Sequence, residues 1–116
     1  MRLLLDAHIE LSIINERTAN LPATLRGVLA DSESQFYVSV ASLWEIAIKR
    51  RSGMTSGGLG LIPINDHHVR PTVVPEPMTR DPFDRLLLAQ CSVEALRLVT
   101  VDRALILHTL AVRTDA

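Results

Sequence analysis

Four acidic residues stand where an alternating chain would bring them together: Asp6, Glu45, Asp84 and Asp102. Two of them close short apolar runs in the same way, Leu3-Leu4-Leu5-Asp6 and Leu98-Val99-Thr100-Val101-Asp102. Glu45 follows a β-type run by a few residues, and Asp84 falls in the first turn after Asp81-Pro82. Carboxylates crowded together repel and raise one another's pKa, so a cluster of this kind needs a compensating cation. An oxygen-only donor set selects a hard ion, Mg²⁺ or Mn²⁺, over Zn²⁺. Such an ion polarises a phosphate and activates water for in-line attack, which is the chemistry of phosphodiester cleavage.

Each acid also has a simpler role within reach. Ser42-Leu43-Trp44-Glu45 reads as a capping box. Asp81-Pro82-Phe83-Asp84 reads as an N-cap, a proline at the first helical position and an acid favoured by the helix dipole. Asp102 and Asp6 can cap the helices that follow them. A cap is typically worth about 1 kcal/mol, and taken singly capping is the better account of each acid. Four caps need not converge, however, and joint placement on one rim favours the metal site.

That placement depends on the elements. Leu3–Leu5, Phe36–Val40 and Leu98–Val101 read as buried strands, with one more short strand at Leu61-Ile62. Ile9–Glu16, Pro22–Ala30, Ser42–Arg51, Asp81 to about Leu96 and Ala104–Leu110 read as helices, and Ala111–Arg113 as an edge strand. Between Ser52 and Thr79 four glycines and four prolines make the chain irregular. Strands alternating with helices predict an α/β fold, a central, mostly parallel sheet with helices on both faces in three layers (α/β/α). In such sheets the functional crevice lies beyond the carboxyl ends of the strands.

At 116 residues the chain is expected to form one domain over residues 1–116. Its 47% apolar and 22% charged residues are those of a globular protein. A net charge of −1 argues against coating nucleic acid by bulk attraction, and 3% aromatics against base-stacking platforms. The basic residues are eleven Arg and one Lys; Lys49 and Arg50, with Arg85, are the candidate phosphate contacts. The single cysteine, Cys91, excludes an internal disulfide and suits a reducing cytosol; its apolar helical setting reads as packing. No stretch approaches the ~20 apolar residues of a membrane span, and Asp6 stops the apolar start after three leucines, so a cytoplasmic protein without membrane contact is expected. His67-His68 does not read as a zinc site, because adjacent side chains diverge and no further nitrogen cluster exists.

Four segments, in order, carry a resemblance to a known family: Leu4-Leu5-Asp6-Ala7-His8, Tyr37 to Lys49 (YVSVASLWEIAIK), Arg80 to Gln90 (RDPFDRLLLAQ) and Leu98 to Asp102 (LVTVD). They resemble the PIN-domain subgroup of VapC-like toxins with LLDTH, SxxSLWEIAIK, HRDPFDRLLIAQA and LVTxD blocks. The resemblance spans nearly the whole chain. It implies a compact α/β domain that cleaves RNA with Mg²⁺ or Mn²⁺ held by Asp6, Glu45, Asp84 and Asp102. Ser39, Ser42 and Thr100 match positions that support those acids, and Asp81 is a cap or supporting group first and a ligand second. A homodimer, silenced by a cognate antitoxin whose tail enters the acidic cleft, is also implied. The chain departs from the pattern at Ala7 (usually Thr), at Thr79 (usually His), at the shortened Ser52–Gly60 stretch and at Pro71, where a helix interior would lose ~3 kcal/mol.

Two further readings follow from these departures and from the capping roles. One is a weakly active or inactive module that acts by binding an antitoxin or RNA. The other keeps the chemistry but differs in substrate, as a DNA-directed or structure-specific nuclease.

Overall fold

Three consecutive leucines form the middle of the sheet, and their alternation organises both faces of the protein. The computed structural model describes residues 1–50, 60–69, 73–77 and 79–113, the side chains of 47–50 excepted. The strands are β1 (Arg2–Leu5), β2 (Gln35–Ser39), β3 (Gly60–Ile62) and β4 (Arg97–Val99). The helices are α1 (Ala7–Ile14), α2 (Ala23–Ala30), α3 (Val40–Arg50), α4 (Asp66–Val69) and α5 (Pro82–Glu94), with a 3₁₀ turn at Thr18–Asn20. All strand pairs are parallel, in the order β3-β2-β1-β4. Leu4 lies between Tyr37 of β2 and Leu98 of β4.

Successive strand residues point to opposite faces, so β1 feeds two cores. Leu4 packs with Leu87, Leu88, Cys91 and Leu98 under α5. Leu3 and Leu5 pack with Ile9, Leu25 and Val38 under α1 and α2. Apolar side chains on both faces explain why β1 reads as an unbroken run rather than an alternating one. The result is an α/β fold with an all-parallel sheet, and its two cores suit a three-layer arrangement.

Several boundaries differ from expectation. Strand β2 runs into α3 without a loop, so the helix begins at Val40. Ser39 turns the corner, its Oγ accepting the Ala41 N–H at 3.1 Å. Ser42 therefore lies inside the helix and Glu45 in its second turn, and the expected capping box does not form. Helix α1 likewise starts earlier, at Ala7, because Asp6 caps it through the Ile9 N–H at 2.9 Å.

The expected last helix over 104–110 is instead a series of turns. The His108 and Ala111 N–H groups bond three residues back, to Leu105 and His108. The chain must then return to the sheet at once, where Leu98 N–H donates to Leu110 and Val112 N–H to Leu98. The expected edge strand is reduced to a single parallel bridge between Leu98 and Ala111.

In the middle region the expected short strand is present as β3, and α4 was not anticipated. His68 secures α4: its Nδ1 accepts the Asn65 N–H at 3.1 Å and its Nε2 lies 3.0 Å from Glu94 Oε1 on α5. Gly60 is required by contact rather than by conformation, since a Cβ there would lie 2.5 Å from the Tyr37 ring. The remaining shortened stretch, 52–59, and Pro71 lie outside the described residues. No helix among the described residues is long and apolar enough to cross a membrane.

Candidate functional site

The strand order reverses direction at β1. Strands β2 and β3 add successively on one side, and β4 then crosses to the other. A crevice opens beyond the carboxyl ends of strands at such a switch point. Asp6 leaves the end of β1 there, and Thr100 to Asp102 leave the end of β4. A cleft of about 310 Å³ occupies this position, and its walls include Asp6, His8, Glu45, Asp84 and Asp102.

Asp6 is the most enclosed of the four cleft acids, 7% exposed. Its Oδ1 accepts the Ile9 N–H, and its Oδ2 accepts a short hydrogen bond from the Thr100 hydroxyl. Burial pushes its pKa up and Asp102 adds to this, while Thr100, the Ile9 N–H and His8 oppose it. Thr100, fully buried, also accepts the Asp102 N–H on its Oγ1 at 3.0 Å. One hydroxyl thus fixes both strand-end acids relative to each other.

Asp84 is fixed by a second threonine. Thr79 is buried, donates to Asp84 Oδ2 at 3.2 Å and accepts the Asp81 N–H at 3.2 Å. The Asp84 pKa rises to about 6, first from burial and then from Asp81 and Asp102, with Asp6 adding a little and Thr79 opposing. Asp81 caps α5 by accepting the Phe83 N–H at 2.8 Å, with Pro82 following as the sequence predicts. Asp102 takes the Ala104 N–H at 2.8 Å and so caps the first of the turns that follow β4.

The structure therefore brings Asp6, Glu45, Asp84 and Asp102 around one cleft. Among the described residues, no group of three or more His, Cys, Asp or Glu side chains is gathered closely enough to hold a metal ion. The donor chemistry nevertheless fits a hard divalent cation. All four groups are oxygen donors, each Asp6 oxygen keeps a lone pair beyond its one hydrogen bond, and burial, with mutual repulsion adding to it, already raises Asp6 and Asp84. A divalent ion relieves that repulsion.

The supporting residues divide. Thr100 hydrogen-bonds an acid directly, Ser39 shapes the strand-to-helix corner, and the buried Ser42 hydroxyl has no partner. Arg85 is engaged away from the cleft, by the Thr79 carbonyl at 3.0 Å and by Glu76 in a short ion pair. The side chains of Lys49 and Arg50 lie outside the described residues. Cys91 is buried and its thiol is pushed up to about 12, as suits packing.

Three features escaped the sequence reading. His8 forms part of the cleft wall and acts on Asp6; its signal was a position two residues after the strand-end acid. Thr79, noted only as a departure, positions Asp84. Glu10, on α1, is 1% exposed, and neither carboxyl oxygen has a hydrogen-bond partner. Burial pushes its pKa up to about 7.

Comparison with models of protein families, with characterised proteins and with solved structures found no match to this chain.

Proposed function

We propose that the protein is a metal-dependent endoribonuclease of the PIN-domain, VapC-like toxin type, acting on single-stranded RNA and restrained by a cognate antitoxin. The observation that carries this reading is the meeting of Asp6, Glu45, Asp84 and Asp102 around one cleft at the sheet's switch point. The sequence blocks that resemble the family contribute all four acids.

In this reading the four carboxylates hold Mg²⁺ or Mn²⁺, which when bound supplies positive charge to a phosphate and the means to activate water. The protein's own part is to fix the acids. Thr100 and the Ile9 N–H hold Asp6, and Thr79 holds Asp84. Thr100 thereby provides a hydroxyl to Asp6 in a site where Ala7 has none to offer. His8 places an imidazole at the cleft wall, where it favours the ionised form of Asp6.

The test is cleavage of single-stranded RNA that requires Mg²⁺ or Mn²⁺, is lost on chelation, and is abolished by Asp6→Asn or Asp84→Asn. Cleavage that survives both substitutions refutes the site.

A second reading has one observation in its favour: no three of the described acids are gathered closely enough to hold an ion, while Asp6, Asp81 and Asp102 all cap. There the cleft docks the basic tail of an antitoxin without cutting RNA. A tight complex with a small partner, together with no nuclease activity in millimolar Mn²⁺ after that partner is stripped, would favour it. Homodimer formation belongs to the proposal and is read from sedimentation.

A further inference from the structure

Nothing in the packing of the fold calls for a histidine at position 8. Ala7, His8 and Leu11 are the residues that α1 gives to the cleft wall, while Ile9 and Ile13 carry the same helix into the core. His8 is exposed and belongs to neither core cluster. It stands in the first turn of α1, the end of a helix that favours acidic groups over basic ones, so helix stability does not select it. Its carbonyl accepts the Ser12 hydroxyl at 3.0 Å, but among the described residues its imidazole has no hydrogen-bond partner. The histidines that serve the fold look different, because both of their ring nitrogens are engaged. His68 lies 3.1 Å from the Asn65 N–H and 3.0 Å from Glu94 Oε1. His108 accepts the Leu110 N–H at 3.1 Å and donates to the Pro75 carbonyl at 2.8 Å.

We infer that the His8 imidazole is a substrate-binding group, donating a hydrogen bond to a phosphate oxygen of the RNA strand seated in the cleft. This rests on the nuclease reading and deepens it by naming a contact of the chain's own with the substrate. The other polar side chains described in the wall are Asp6, Glu45, Asp84 and Asp102, and ionised carboxylates only accept hydrogen bonds. They meet a phosphate through a cation and offer it no donor of their own. An imidazole carries at least one N–H in either protonation state, so the contact does not depend on the charge of the ring. Asp6 closes β1 and caps α1, and His8 follows two residues later. The donor is therefore held in register with the acid at the end of β1 by a single turn of helix.

The experiment titrates the full chain, in Ca²⁺, against fluorescently labelled octaadenylate and a labelled abasic ribose-phosphate octamer, and follows anisotropy. His8→Ala is expected to weaken both by about 10-fold, the low end for a hydrogen bond to a charged group, as suits an exposed contact. His8→Asn keeps an N–H donor and carries no charge, and should recover most of the loss. Because the imidazole bonds nothing in the described free chain, His8→Ala should melt at the temperature of the parent, and its rise with Mn²⁺ should match. In cleavage assays His8→Ala should raise KM by about 10-fold.

Equal affinity of His8→Ala and the parent for both strands overturns the contact. A loss confined to octaadenylate places His8 on a base, and a loss that His8→Asn does not recover assigns it to charge alone; each overturns the phosphate contact. So does a Mn²⁺ shift that disappears in His8→Ala, which would tie His8 to Asp6 or the ion instead. RNA cleavage with an unchanged KM in His8→Ala removes the contact and leaves the nuclease standing. Binding of both strands that falls in His8→Ala, in a chain that cuts no RNA, does the reverse. A parent that binds neither strand removes both.

Discussion

Replacing Glu10 with leucine should stabilise the protein, and by an amount that depends on pH. The carboxyl is 1% exposed and neither oxygen is hydrogen-bonded. Its pKa is about 7 in the folded chain against an ordinary 4.5. Each unit of pKa difference between folded and unfolded states corresponds to about 1.4 kcal/mol. Because the folded state holds its proton more tightly, the contribution is complete below pH 4.5. It is lost as pH rises through 7, for a total of about 3 kcal/mol. Roughly 2.5 kcal/mol of that loss falls between pH 5 and pH 8. Glu10→Leu fills a similar volume without a charge, so its stability should not share this fall. Urea denaturation followed by far-UV circular dichroism at both pH values gives the comparison. The stability gap between variant and parent should widen by about 2.5 kcal/mol from pH 5 to pH 8. An equal gap at the two pH values would show that Glu10 is ionised and compensated, and the reasoning would be wrong. Taking the difference between two chains cancels the titration of Asp6, Asp84 and the histidines.

Millimolar Mn²⁺ should raise the melting temperature at pH 7.5, through binding to the folded state alone. The rise should shrink below pH 6 as Asp84, at about 6, takes up its proton. Asp84→Asn should abolish the Mn²⁺ shift without lowering the melting temperature of the metal-free protein, because it removes a repelled carboxylate. Thr100→Val should cost about 1–3 kcal/mol, since Asp6 loses a buried hydrogen bond; urea denaturation measures it, and Mn²⁺ affinity should fall about 10- to 100-fold in the same variant. Gly60→Ala should destabilise by about 1–3 kcal/mol, as its Cβ meets the Tyr37 ring and the strand or ring must shift; Gly60→Ala in a Tyr37→Leu background should recover much of the loss.

The elements that place the acids were legible because their signals are local. The Leu3–Leu5 run closed by Asp6, and Asp81-Pro82 opening α5, each carry their own punctuation. What was misread depended on distant partners. Ser42 and Glu45 form a good capping box in isolation, but β2 delivers the chain into α3 two residues earlier and Ser39 takes the corner. Ala104–Leu110 has helical composition, yet Leu98 draws both Leu110 and Val112 back to the sheet. His68 looked idle because its partner, Glu94, is 26 residues away. Thr79 looked like a defect because its role appears only once α5 has turned Asp84 toward it.

The hydrogen bond between Thr100 and Asp6 joins residues 94 positions apart. The acid is therefore synthesised 94 residues before the hydroxyl that orients it. A nascent chain that has folded β1, β2 and β3 still has an open flank at β1 and no crevice, because the wall supplied by β4 does not yet exist. Contacts of such long sequence separation carry a high loop-closure cost, so the crevice is assembled only once β4 is available. Detachment of β4, a strand of three residues, would carry Thr100 away from Asp6 and open that wall of the crevice.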